Sequence, residues 1–177
     1  VLVFALGLLF PGENAFYKWG THRDMLRQAS VYGILACGMT VVIISAGIDL
    51  SVGSVLALTA VTFSIFSIHR GWTASTAIPL CLLVGAACGA VSGVLTAGFR
   101  IQPFIVTLAM MVFARGLAKT VSGGMKVSTT VLNADGSYGN VDLPRVFHMI
   151  DSQLPAGNVS VVSLIFLACV VISWVGL

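Results

Sequence analysis

Long apolar runs, separated by short polar segments, dominate this chain. A helix that crosses a membrane needs about 20 mostly apolar residues, and several runs reach that length. The pattern predicts a partial first span at residues 1–10, further spans at about 29–46, 50–68, 74–99, 101–119 and 159–177, and a polar excursion at 121–158. We therefore predict an all-α fold, a polytopic transmembrane helical bundle that forms a single, incomplete domain over residues 1–177.

The polar segments predict three smaller elements. Residues 21–28 suit a short interfacial helix, and residues 144–154 suit a short amphipathic helix. Val127, Thr129 and Val131 alternate with polar residues ahead of the turn sequence at 133–136, which indicates a small β-hairpin.

The composition supports lipid as the natural solvent of the chain. Hydrophobic residues make up 58% of the sequence and charged residues 8%, and the mean hydropathy is +1.03. A soluble globular domain is about one quarter charged, so this chain could not cover its surface in water. The net charge of +3 is scattered, and no Lys/Arg block indicates a nucleic-acid partner.

Both ends of the sequence lie inside apolar runs, and the chain begins at Val1 without an initiator Met. A signal peptide at residues 1–10 is one interpretation, but a basic flank and a small-residue cleavage site are missing. We expect instead the tail of a first transmembrane helix, and a fragment of a longer protein.

A broken helix pair is predicted near residues 47–54. Between residues 29 and 68 the only charged side chain is that of Asp49, and this stretch is about twice as long as one span. Gly47 can end one helix at low steric cost, and Asp49 or Ser51 can cap the next by accepting hydrogen bonds from its first N–H groups. A carboxylate at membrane depth costs about 2.5–3.5 kcal/mol, so Asp49 either caps a helix or contacts a substrate, ion or proton. The two roles are compatible, because broken helices in transporters often line the path.

Gly85, Gly89 and Gly93 recur every four residues on one predicted helix and form a small-residue stripe. Such a stripe lets another helix approach closely. Packing within the chain is the first interpretation, and dimerisation through this face is the alternative.

Sequence signatures of catalysis are missing from the chain. It has no phosphate-binding loop ending in Lys-Ser/Thr, no nucleophile elbow and no zinc-protease signature. The three histidines and four cysteines lack the spacing of a metal site. We therefore predict no catalytic residue, no metal, no cofactor and no enzymatic activity.

Residues 38–54, GMTVVIISAGIDLSVGS, closely resemble the membrane permease subunit of ribose-type bacterial ABC importers for monosaccharides. LRQAS at 26–30, RIQPFIVTL at 100–108 and RGLA at 115–118 resemble the same family, and the resemblance covers about residues 27–124. It implies a multi-pass protein of the bacterial inner membrane that works as a pair of permease copies. It also implies a separate cytoplasmic ATP-binding subunit and a periplasmic sugar-binding protein.

The resemblance further implies that Arg100 lies on the cytoplasmic side and the excursion 121–158 on the periplasmic side. The later cytoplasmic loop that engages the ATPase in this family is not found in the sequence. Candidates for the sugar path are Ser45, Asp49, Ser51 and Ser54. Two alternatives stay open: an ion-coupled secondary transporter that uses Asp49, and a membrane scaffold subunit that transports nothing.

Overall fold

The computed structural model describes residues 16–132, 136–140 and 160–176. The chain divides into two compact units, one of Val1–Val41 with Met149–Leu177 and one of Val42–His148, and each is described by itself. The helices are α1 (Trp19–Ile44), α2 (Val52–Ser64, continued by a π-helical turn at Ile65–His69), α3 (Ala74–Gly93, continued likewise at Val94–Gly98), α4 (Pro103–Val121) and α5 (Val161–Gly176). The strands are β1 (Thr130–Leu132) and β2 (Tyr138–Asn140). The predicted elements at residues 1–10 and 144–154 lie outside the described residues.

Helices α1 to α4 are long and apolar enough to cross a membrane, and α5 contributes a shorter apolar helix, Val161–Val175. This confirms the predicted all-α, polytopic helical fold. Large apolar side chains lie exposed on these helices, among them Leu82, Phe113 and Trp174. Lipid tails are as apolar as these side chains, so exposure on a transmembrane helix costs little.

Helix α1 is longer than the pattern predicted, because it begins at Trp19 and includes the segment expected to form a separate interfacial helix. Residues 25–29 are Met, Leu, Arg, Gln and Ala, all good helix formers, and nothing in them ends a helix. At 26 residues α1 is about 39 Å long, whereas the hydrocarbon core is about 30 Å thick. The polar first turns of α1 can therefore extend into the headgroup zone.

In the first unit, α1 packs against α5 through small and hydroxyl-bearing residues. The Ser30 hydroxyl donates to Leu26 O (2.7 Å) and contacts the Ser163 hydroxyl (3.1 Å), which lies 2.9 Å from the Ser160 hydroxyl. All three serines are buried. One turn along α1, Gly33 faces the Phe166 ring, and a Cβ atom built there would lie 2.7 Å from Cζ. The close approach of the two helices therefore depends on the absence of a side chain at Gly33.

In the second unit, α2 lies against both α3 and α4. Its core is a cluster of buried residues from all three helices: Leu58, Cys88, Met110, Ala114 and Ala118. Ala114 is completely buried, and the small residues of α4 let it lie close to α2. The three antiparallel helices thus place the N-terminus of α2 at the same end of the unit as the turn between α3 and α4.

The opposite end of this unit carries an aromatic and basic cluster. Gly71 takes a left-handed conformation (φ 64°), which turns the chain sharply after α2. The Phe66 and Trp72 ring centroids lie 4.5 Å apart, and the guanidinium carbon of Arg70 lies 4.9 Å from the Phe66 centroid. Tryptophan and arginine are typical of the membrane–water interface, so this cluster suits the headgroup zone.

The predicted hairpin is confirmed. Strands β1 and β2 pair antiparallel, with Thr130 opposite Asn140 and Leu132 opposite Tyr138. The Thr130 hydroxyl donates to Asn140 Oδ1 across the pair (3.0 Å).

Candidate functional site at the helix break

The predicted break lies between Ile44, where α1 ends, and Val52, where α2 begins. The Gly47 N–H donates to Val42 O and the Ala46 N–H donates to Ile43 O, both at 2.9 Å, which is the Schellman pattern of a helix C-terminus. The left-handed residue in this turn is Ala46 (φ 57°), a position that usually holds glycine. Gly47 serves a different purpose: a Cβ there would lie 3.2 Å from Val42 O and Val42 Cγ1. Gly47 therefore permits close approach of the backbone after the turn.

Asp49 holds the residue that precedes α2. Its Oδ1 accepts hydrogen bonds from the Ser51 N–H (2.7 Å) and the Ser51 hydroxyl (2.6 Å). Ser51 is the N-cap residue, and its side chain makes no capping bond to α2. The sequence predicted that Asp49 or Ser51 accepts hydrogen bonds from the first N–H groups of α2. This was wrong about the donor, because Asp49 accepts from Ser51, which precedes α2. A carboxylate reaches the N–H two residues onward more readily, because this spacing closes a local turn.

Helix α4 contacts the break through Thr107, a residue that the sequence did not mark as part of the site. The Thr107 hydroxyl lies 3.1 Å from Ile48 O and 3.3 Å from Phe104 O, and either carbonyl can accept its proton. Thr107 is four residues beyond Pro103, about 6 Å along α4 from its first residue. Ile48 therefore lies inward from the start of α4. A threonine within an apolar helix is a weak signal, and the pairing itself depends on the tertiary structure.

The structure brings two of the four path candidates together. Asp49 and Ser51 are joined by hydrogen bonds, and Ser51 is buried. Ser45 lies exposed in the turn after α1, and Ser54 lies in the first turn of α2. Their role in a sugar path stays a prediction.

The glycine stripe meets another helix at Gly85. A Cβ at Gly85 would lie 3.5 Å from the Thr59 methyl carbon of α2, an ordinary contact distance. At Gly89 and Gly93 a Cβ would meet no atom of the described residues within 4 Å. Intramolecular packing of the stripe is therefore visible at Gly85, and its use at Gly89 and Gly93 stays a prediction.

Two grooves in the second unit are much less polar than the break. One of about 450 Å³ lies among α2, α3 and α4 and is lined by apolar residues such as Leu58, Val91 and Phe113. The other, of about 560 Å³, lies between α2 and α3 and is mostly apolar. Within the described part of the chain, no three His, Cys, Asp or Glu side chains come together. The break offers hydroxyls, backbone carbonyls and one carboxylate, which can form hydrogen bonds with a neutral polar solute.

Four helices that are long and apolar enough to cross a membrane define a multi-pass membrane protein, and a break between two such helices is common in transporters. The sequence profile of the family described as "Branched-chain amino acid transport system / permease component" matches residues 23–177. The chain belongs to this family of permease components.

Relatives named as sugar permeases match the chain over much of its length. The ribose import permease protein RbsC of Escherichia coli (strain K12) is 45% identical over 130 residues, which cover 73% of this chain and 39% of the relative. The fructose import permease protein FruF of Bifidobacterium longum (strain NCC 2705) is 36% identical over 175 residues, 94% of this chain and 48% of the relative. The xylose transport system permease protein XylH of Escherichia coli (strain K12) is 36% identical over 130 residues, 73% of this chain and 33% of the relative. The chain thus spans less than half of each, and no solved structure matches it significantly.

Proposed function

We propose that this chain is part of the membrane-spanning subunit of an ATP-driven importer, and that the importer translocates a monosaccharide across the bacterial inner membrane. The observation that carries the proposal is the helix break at residues 45–51, which places hydroxyls, carbonyls and one carboxylate between two apolar helices. Irregular backbone is tolerated at membrane depth where it is covered by protein or lines a water-filled cavity. The ribose, fructose and xylose permeases among the relatives support a sugar as the solute.

The proposed path residues are Ser45, Asp49, Ser51 and Ser54. A neutral sugar requires donors and acceptors of hydrogen bonds and few charges, and serine hydroxyls supply both. Asp49 Oδ1 already accepts two hydrogen bonds from Ser51, which stabilise the negative charge of the carboxylate within the break.

The proposed partners are a cytoplasmic ATP-binding subunit, a periplasmic sugar-binding protein and a second permease copy. The 177 residues include no phosphate-binding loop that would bind ATP, so ATP hydrolysis is assigned to the partner. This assignment agrees with the word permease in the names of the relatives.

We propose the orientation that the family resemblance implies, with Arg100 on the cytoplasmic side. In the second unit, Arg70, Lys119 and Lys126 lie at the other end, and the positive-inside rule applied to this unit alone favours the opposite orientation. We give the resemblance more weight, because the rule sums charges over all loops and this chain spans under half of its relatives. Labelling of single cysteines at Arg100 and Gly71 by a membrane-impermeant reagent tests this choice. Labelling of Arg100→Cys from the periplasm would overturn it.

A branched-chain amino acid is the second candidate solute, because the family description names this class. A zwitterion needs a partner for each of its charges. Asp49 could pair with the ammonium group, and a basic partner for the carboxylate would also have to face the path. A sugar therefore requires hydrogen-bonding groups at the break, whereas an amino acid requires two charged partners. Uptake of both solutes should be measured.

The coupling of the permease to ATP hydrolysis tests the proposal. The complete reading frame would be reconstituted in liposomes with the ATP-binding subunit encoded beside it, and hydrolysis measured with and without the sugar-loaded binding protein. We expect the loaded binding protein to stimulate hydrolysis, and vesicles with the ATP-binding subunit alone to show no stimulation. Equal hydrolysis with and without the binding protein and permease would contradict the importer assignment.

A further inference from the structure

The hydroxyl of Thr107 has one proton and two carbonyl acceptors within reach. Ile48 O lies 3.1 Å away, across 59 residues of sequence, and Phe104 O lies 3.3 Å away within α4. Thr107 is only 6% exposed, so water competes little for this proton. The hydroxyl can therefore bond either to the break or to its own helix, and a rotation about one side-chain bond exchanges the two.

The Ile48 carbonyl needs such a donor. Ile48 lies outside the helices, and among the described residues no backbone N–H donates to its carbonyl oxygen. An unsatisfied carbonyl in a membrane interior is costly, and a hydroxyl from a neighbouring helix removes that cost. The next residue, Asp49, is held by Ser51 at the start of α2. Two adjacent residues of the break are thus fixed by two different helices.

We propose that Thr107 is a positioning residue that holds the break in one of two arrangements. In the arrangement seen here Thr107 can donate to Ile48, and when the break moves away from α4 it donates to Phe104 instead. The hydroxyl proton stays paired in both arrangements, whereas in the second Ile48 O loses this donor and takes water or the solute in its place. This inference rests on the proposed function, because it assigns the movement of the break to the transport cycle.

The hydrogen exchange of the backbone amides at residues 45–51 tests the proposal in the complete permease. Thr107→Val removes the hydroxyl and keeps the branched shape, and Thr107→Ser keeps the hydroxyl. Thr62→Val is a matched control, because buried Thr62 donates to Leu58 O (2.8 Å) within its own helix α2. We expect roughly three- to tenfold faster exchange in Thr107→Val, wild-type exchange in Thr107→Ser, and wild-type exchange at the break in Thr62→Val.

The assembled transporter supplies a second readout. In the wild type we expect slow amide exchange at the break in the resting state and fast exchange in the ATP-trapped state. In Thr107→Val we expect fast exchange in both states. The maximal uptake rate should change in Thr107→Val with little change in the half-saturating sugar concentration, and Thr107→Ser should restore it.

Equal exchange at residues 45–51 in Thr107→Val and Thr62→Val would overturn the proposal. If Thr107→Val does not fold, the pair Thr107→Ala and Thr62→Ala allows the same comparison, and equal exchange in that pair would overturn it too. Absence of ATP-dependent uptake in the wild type contradicts the proposed function, whereas the exchange comparison in the resting state still measures the Thr107 contact.

Discussion

At the scale of single residues, the bonds of Asp49 allow its charge and its hydrogen bonding to be separated. Asp49→Asn keeps an oxygen that can accept from both the N–H and the hydroxyl of Ser51, whereas Asp49→Ala removes that acceptor. We expect Asp49→Asn to retain most transport and Asp49→Ala to lose about 1–3 kcal/mol of stability. Uptake and thermal unfolding in detergent measure the two effects.

If the carboxylate acts mainly by holding Ser51, Asp49→Asn must show higher uptake and higher thermal stability than Asp49→Ala. Near-total loss of transport in Asp49→Asn, with normal insertion and stability, would show that the charge itself is used. That result would favour the ion-coupled alternative.

Gly33 gives a second prediction at this scale. A methyl group at Gly33 would lie 2.7–2.8 Å from the Cζ and Cδ2 atoms of Phe166, so α1 and α5 must separate or the ring must move. We expect Gly33→Ala to lower stability by about 1–3 kcal/mol. Gly38→Ala, on the same helix with no described atom within 4 Å of the added carbon, is the control and should not destabilise. Equal unfolding temperatures for the two variants would contradict the packing of α1 on α5.

The sequence predicted single residues where their chemistry is unusual in a membrane. Asp49 is conspicuous because it is the only charge in a long apolar stretch. Thr107 and Ser163 are inconspicuous, since hydroxyls are common in such helices and their partners lie 59 and 133 residues away. The left-handed residue was also hidden, because Ala46 occupies a position that favours glycine.

At the scale of elements, the glycine stripe predicts different effects along α3. Gly85→Leu would push a large side chain into Thr59 of α2, whereas Gly93 meets no described atom within 4 Å. We expect Gly85→Leu to lower the unfolding temperature clearly and Gly93→Leu to change it little in a single permease copy. Thermal unfolding in detergent, with the oligomeric state measured in parallel, provides the comparison.

The outcome at Gly93 separates two uses of the stripe. If Gly93→Leu converts a dimeric permease into monomers in detergent, the α3 face at Gly93 contacts the second permease copy. Similar stability in Gly85→Leu and the wild type would contradict the contact between α2 and α3.

Elements were predictable where the chain alternates clearly between apolar and polar stretches. The helix break and the hairpin follow from local signals: a glycine, a lone carboxylate and an alternating strand pattern. The start of α1 could not be predicted from such signals, because its polar first turns include residues that also form helices well. The polarity of residues 21–28 indicates a segment outside the hydrocarbon core, but their helix propensity keeps them in the same helix as the span that follows.

At the scale of the whole molecule, the described residues combine apolar helices with the helix break at residues 45–51, and the 177-residue sequence contains no phosphate-binding loop. A path for a neutral solute needs little charge, and a driving force supplied by a partner needs no nucleotide site here. The importer proposal accounts for both features together. A proton- or sodium-coupled transporter would instead place the whole coupling on Asp49, the only acidic residue of the described spans α2 to α4 and the break before them.

Uptake of labelled solutes into liposomes containing the complete permease tests the central claim most directly. The ATP-binding subunit and the sugar-binding protein would be included or omitted, and the panel would hold ribose, fructose, xylose and leucine. We expect uptake of a monosaccharide that requires both ATP and the binding protein. Uptake driven by an ion gradient without ATP would contradict the account, as would the absence of uptake under every driving force.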